Sequence, residues 1–154
     1  MAPVALGRFT RALVGASRVG LDTSVMLYHL EGVSPYVELT THLFAGAAMG
    51  GFQLVGSAIT VGEILVGPWR VGDSQGARQL EHALRQLPGF LVADITFDVA
   101  SRAAQLRSKT SLPLPDALIM TSLIERGVQA LVTNDAAWRV KGLPCRTLVL
   151  EDYL

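Results

Sequence analysis

Four acidic residues, Asp22, Glu63, Asp116 and Asp135, stand where carboxylates of this 154-residue chain can act together. Asp22 follows a short strand-like stretch, Arg18-Val19-Gly20-Leu21, and Glu63 falls in the first turn of a helix expected after a second apolar run over 53–59. Asp116 opens a helix behind Pro113 and Pro115, and Asp135 follows the apolar run Ala130–Thr133. Carboxylates gathered in a small space repel, and without a cation at least one should take up a proton. Helix N-termini relieve part of that repulsion, and a hard divalent cation relieves it directly. Oxygen donors without His or Cys favour Mg²⁺ or Mn²⁺ over zinc. Each acid alone also fits a structural role. Asp22 suits an N-cap, Thr60-Val61-Gly62-Glu63 a capping box, Asp116 a helix dipole, and Asp135 a cap on the turn at Ala136.

The elements that must position these acids alternate. Short apolar strands are expected near 18–21, 53–59, 89–94, 130–133 and 146–150. Helices are expected at 25–30, at 36–49, from 61 until Gly67-Pro68 ends it, at 73–87, from 97 to about 109, and at 116–126 with Gly127 closing it. This alternation predicts a three-layer α/β/α fold with a central, mostly parallel sheet of about four to five strands. In such sheets the ligand crevice lies beyond the carboxyl ends of the strands, where the following helices begin. The 19 positions from Asp116 to Asp135 fit one helix running down the sheet and one strand running back up. Both acids then lie on one edge, and Asp22 and Glu63 reach it by the same logic.

Thirteen Lys and Arg balance thirteen Asp and Glu, so no global basic field exists to hold a nucleic acid, and any such contact needs a local patch. Half the residues are hydrophobic and 17% are charged, which excludes a disordered tail or a highly charged coiled coil. The lone Cys145 removes disulfide frameworks and cysteine-based zinc sites and points to a reducing cytoplasm. The uncharged stretch 43–62 has the length of a membrane span, but its five glycines argue for a turn and a buried strand, so no membrane role is expected. Residues 1–17 read as a leader, disordered or an overextended start, ahead of a domain over 18–154.

Four segments, Leu21-Asp22-Thr23-Ser24, Thr60 to Leu65, Leu114-Pro115-Asp116-Ala117 on to Ile119, and Leu131 to Asp135, occur in the order and approximate spacing of the PIN-domain ribonucleases. The segment Phe97–Arg107 also resembles the family's helix ahead of the third motif, and the chain looks most like the VapC-type toxins of bacterial toxin–antitoxin pairs. The resemblance implies a PIN-like domain and a metal-dependent endoribonuclease using Mg²⁺ or Mn²⁺. It also implies an RNA substrate, a small antitoxin partner and a homodimer. Carried over residue by residue, Asp22 and Asp116 become candidates for direct metal ligands, and Glu63 and Asp135 complete the shell through water or bind a second ion. Thr133 and Ser24 are auxiliary candidates for holding a carboxylate or a metal water, with helix-start roles as the alternative.

An acidic pocket repels phosphates unless basic rims compensate, and Arg102, Arg107, Lys109, Arg139 and Lys141 are the rim candidates. Trp69 and Trp138 offer base-stacking surface, with buried packing the default for both, and His29, His42 and His82 form no ligand spacing. Two rival readings remain. A Mg²⁺-dependent phosphatase of the haloacid-dehalogenase kind wants Asp-x-Asp after the first strand, where Ser24 takes the second place. A catalytically inactive PIN-like protein- or RNA-binding module is the other.

Overall fold

The structure is a computed structural model that describes residues 3–154. Five strands form one parallel sheet in the order β3-β2-β1-β4-β5, with β1 at Arg18–Leu21, β2 at Gln53–Ser57, β3 at Phe90–Ala93, β4 at Ala130–Thr133 and β5 at Arg146–Val149. The register pairs Leu21 with Val132, and Asp22 prolongs that ladder by donating its backbone N–H to the Val132 carbonyl at 2.9 Å. Helices cover both faces, as the alternation of apolar strands and helices requires. They are α1 (Pro3–Ala12), α2 (Thr23–Glu31), α3 (Val37–Ala48), α4 (Ala58–Arg70), α5 (Ser74–Arg85), α6 (Phe97–Lys109) and α7 (Leu114–Glu125).

The period-two alternation of strand side chains divides the core in two. Val19, Leu21, Leu54 and Val132 face a cluster with Val25, Met26, Leu39 and Leu43, while Val55 and Leu131 face the other side with Ile119, Met120, Leu123 and Trp138. The glycine that interrupts β1 has a packing reason. A Cβ on Gly20 would lie 3.0 Å from Leu123 Cδ1 and 3.1 Å from Leu131 Cδ2, so its absence lets α7 press against the sheet. Gly127 closes α7 as expected, in the left-handed region at φ 74°.

Several boundaries differ from the sequence expectation. Residues 1 and 2 of the expected leader lie outside the described residues, but Pro3–Ala12 is helical rather than disordered. Ala5, Phe9 and Leu13 recur every four residues and are buried, with Phe9 set edge-on against Tyr153 at 5.1 Å between ring centres. The second strand stops at Ser57, whose hydroxyl accepts the Ile59 N–H and caps α4, so Thr60 is not the N-cap and no capping box forms at Glu63. That helix also runs through Pro68, which lies in its last turn, and ends only before Gly72 at φ 75°. Trp138 is buried as expected, whereas Trp69 is half exposed on α4, against the expected packing. No helix among the described residues is long and apolar enough to cross a membrane; the run 43–62 is divided among α3, a turn, β2 and α4.

Candidate active site

Asp22 sits at the carboxyl end of β1 as the N-cap of α2, and its first carboxylate oxygen, Oδ1, accepts the Thr23 N–H at 2.7 Å. The second oxygen, Oδ2, accepts the Thr133 hydroxyl at 2.7 Å and the Ser24 hydroxyl at 3.4 Å. Only 7% of the residue is exposed. Burial pushes its carboxyl up from 3.8 to about 6; the Thr133 hydroxyl, the Thr23 N–H and the Ser24 hydroxyl pull it down, and Asp116 adds repulsion. The cap is therefore real, yet it leaves a desolvated acid at the strand end.

Thr133, the last residue of β4, has one hydroxyl proton and two lone pairs. It gives the proton to Asp22 and accepts the Asp135 N–H at 3.0 Å, which ties two acids 113 positions apart to a single side chain. Asp135 in turn accepts the Ala137 N–H at 2.9 Å and caps the short turn Ala136–Trp138. Asn134 fixes the segment from the other side. Its amide donates to the Tyr28 hydroxyl at 3.3 Å, and its carbonyl accepts the Glu151 N–H at 3.0 Å.

Glu63 is exposed on α4, with one oxygen accepting the Thr23 hydroxyl at 2.9 Å. The Thr60 hydroxyl lies 2.8 Å from that of Thr23. Because the Thr23 proton goes to Glu63, the Thr60 proton must go to Thr23. Thr23 and Thr60 thus form a buried relay that the sequence reading missed. Both stand next to or near a selected acid, but nothing in their spacing reveals a contact across 37 positions.

Asp116 lies in the first turn of α7, half-buried, with no hydrogen-bond partner among the described residues. Burial raises its carboxyl above the usual range, and repulsion from Asp135 and Glu63 raises it further. Together with its effect on Asp22, this places Asp116 within electrostatic reach of the other three acids. The donors are all oxygen and suit a hard cation. Even so, no three His, Cys, Asp or Glu side chains among the described residues are grouped so as to hold a metal ion.

The five rim candidates separate. Arg102 is ion-paired with Glu125, and Arg107 donates to the Thr110 carbonyl at 3.3 Å at the end of α6. Arg139 is ion-paired with Asp152, and it lines one cleft together with Lys109 and Lys141. Of the histidines, His29 stacks on Phe44 at 4.0 Å and His42 bonds the Thr10 hydroxyl at 3.0 Å, and neither joins the acids in a ligand group.

The chain belongs to the PIN domain family, whose profile matches residues 19–142 and so takes in all four acids. No curated protein matches it. Among solved structures it is similar to a toxin–antitoxin complex from Klebsiella pneumoniae, at 21% identity and TM-score 0.60 over 86% of this chain and 97% of that one. It is also similar to DNA-bound VapBC from Salmonella typhimurium, at 16% identity and TM-score 0.65 over 86% and 98% of the two chains. A third, VapC20 of Mycobacterium tuberculosis, described as a sarcin-ricin loop cleaving toxin, matches at 17% identity and TM-score 0.62 over 83% and 98%. At such identities the likeness is one of fold.

Proposed function

We propose that this protein is a metal-dependent endoribonuclease and the toxin of a toxin–antitoxin pair, with Asp22, Glu63, Asp116 and Asp135 as its acidic site. The observation that carries the reading is the electrostatic convergence on Asp116: an acid with no protein partner, repelled by Asp135 and Glu63 and itself repelling Asp22, within a PIN domain. The description of VapC20 as a sarcin-ricin loop cleaving toxin favours RNA as substrate, and the toxin–antitoxin complex from Klebsiella pneumoniae favours an antitoxin as partner. A homodimer in the cytoplasm is part of the same reading.

Asp22 and Asp116 would hold a Mg²⁺ or Mn²⁺ ion directly, and Glu63 and Asp135 would complete its shell through water or hold a second ion. When bound, the ion supplies a water nucleophile at neutral pH and neutralises charge that develops on the phosphate. The chain's own residues do the positioning. Thr133 fixes Asp22 relative to Asp135, Thr23 and Thr60 steer Glu63, and the α7 N-terminus favours the anionic form of Asp116. Holding an ion with three of these acids requires side chains to move closer together, and Asp116, which accepts no hydrogen bond among the described residues, is free to do so.

The test is cleavage of structured and single-stranded RNAs by the purified protein with Mg²⁺ or Mn²⁺ and with EDTA, beside Asp116→Asn. Metal-dependent cutting that a folded Asp116→Asn loses supports the assignment. The spread of the acids favours one second reading, an inactive PIN-like binding module. RNA binding without cutting by either protein in any metal would select it.

A further inference from the structure

We propose that the cleft lined by Lys109, Arg139 and Lys141 binds the phosphodiester backbone of RNA beside the acidic pocket, an inference that rests on the nuclease reading and specifies how its substrate is held. The cleft has a volume of about 540 Å³, and both of its walls continue into the acids. One wall is the end of α6 and the link Thr110–Ser111, which leads into the first turn of α7 and Asp116. The other begins at Ala137, whose N–H is held by the Asp135 carboxylate, and continues through Arg139 to Lys141.

The charge distribution selects the ligand. Among the described residues, no acidic side chain lines the cleft. Neither Lys109 nor Lys141 has a carboxylate partner among the described residues, while Arg139 is braced by Asp152. In a chain of zero net charge, Lys109 and Lys141 bring to one opening two charges that no carboxylate among the described residues balances, close in the chain to acids that repel phosphate. A backbone drawn toward the acids needs a positive anchor there, and phosphate contacts of this kind set register without reading sequence. Arg102 and Arg107, although nearby in sequence, do not line the cleft; the first is paired with Glu125 and the second donates to the Thr110 carbonyl.

The experiment is the double variant Lys109→Gln with Lys141→Gln, leaving Arg139 and its ion pair with Asp152 intact. Binding of a fluorescein-labelled unstructured RNA to the variant and to the unaltered protein is measured in EDTA across a sodium chloride series. Two lost phosphate contacts should make the plot of log affinity against log salt less steep by about 1.4, at about 0.7 per contact for a single strand. Each single variant should account for about half, which keeps the test usable if the double variant folds poorly. An unchanged slope in a folded variant overturns the proposal, as does equal competition by poly-glutamate, which would make the cleft a site for acidic polypeptide. Failure of the nuclease reading looks different. RNA bound with the predicted change of slope but never cut overturns that reading alone, whereas metal-dependent cutting with an unchanged slope overturns the cleft alone.

Discussion

Replacing Asp22 with Asn should stabilise the metal-free protein while abolishing its proposed activity. Asp22 is 7% exposed, and its carboxyl is pushed from 3.8 to about 6, chiefly by burial. At about 1.4 kcal/mol per pH unit, that rise means ionising Asp22 costs the folded state about 3 kcal/mol. The sign follows from proton binding. The folded carboxyl holds its proton more tightly than the unfolded one, so its contribution to stability is greatest below pH 3.8 and is lost progressively as pH rises to about 6, beyond which the whole cost remains. The Asp22→Asn variant would have no such dependence. Its amide must replace the bond from Thr133, and imperfect replacement costs about 1 kcal/mol, so the expected net gain at pH 8 in EDTA is about 1–3 kcal/mol. Urea unfolding followed by tryptophan fluorescence reads this, and each kcal/mol should also raise the melting temperature by about 2–4 °C. The gain should shrink toward zero near pH 4, and Mg²⁺ should stabilise the unaltered protein more than Asp22→Asn. A variant less stable than the parent at pH 8 in EDTA, with an unchanged denaturant slope, would refute the reasoning.

Three further outcomes are expected. Thr133→Val removes a donor that lowers the Asp22 pKa and an acceptor for the Asp135 N–H; it should lose about 1–3 kcal/mol of stability and move the acid limb of any pH–rate profile upward. Gly20→Val should drive side-chain atoms into Leu123 and Leu131 and lose about 1–3 kcal/mol by urea unfolding, whereas a neutral result would mean that α7 can move off the sheet. Phe9→Ala, at a fully buried position of α1, should lose about 3–5 kcal/mol in one cooperative transition, and no loss would show that α1 is dispensable to the fold.

The strands and the edge that carries the acids were legible because a parallel sheet buries its strands on both faces, leaving short apolar runs whose ends announce the crevice. The start of α6 and both ends of β4 were readable to the residue, since Thr96 supplies the cap of the first and Gln129 and Asn134 flank the apolar run of the second. The helix α1 was not legible, because Arg8, Arg11 and Gly7 lie between its buried residues and only the docking surface near Tyr153 shows that Phe9 has somewhere to go. Pro68 misled for a different reason. Its missing N–H matters least in a terminal turn, and sequence alone does not say which turn is last. The Thr23–Thr60 relay arises only when α2 and α4 are placed side by side.

The site is uneven in a way that bears on how it would bind an ion. Hydroxyls or backbone N–H groups hold Asp22, Glu63 and Asp135, whereas half-buried Asp116 has a helix N-terminus but no hydrogen-bond partner among the described residues. Repulsion within such a set can be relieved by protonation, by motion or by a cation. Motion is closed to Asp22, fixed by Thr133 and Thr23; its carboxyl is raised chiefly by burial, and repulsion from Asp116 adds a smaller part. Asp116 accepts no hydrogen bond among the described residues and can still turn; Asp135 and Glu63 repel its charge in the metal-free protein, and a divalent cation held among them would attract it instead. Three braced acids and one free acid therefore describe a pocket that is held in place by its hydroxyls and completed by its ligand.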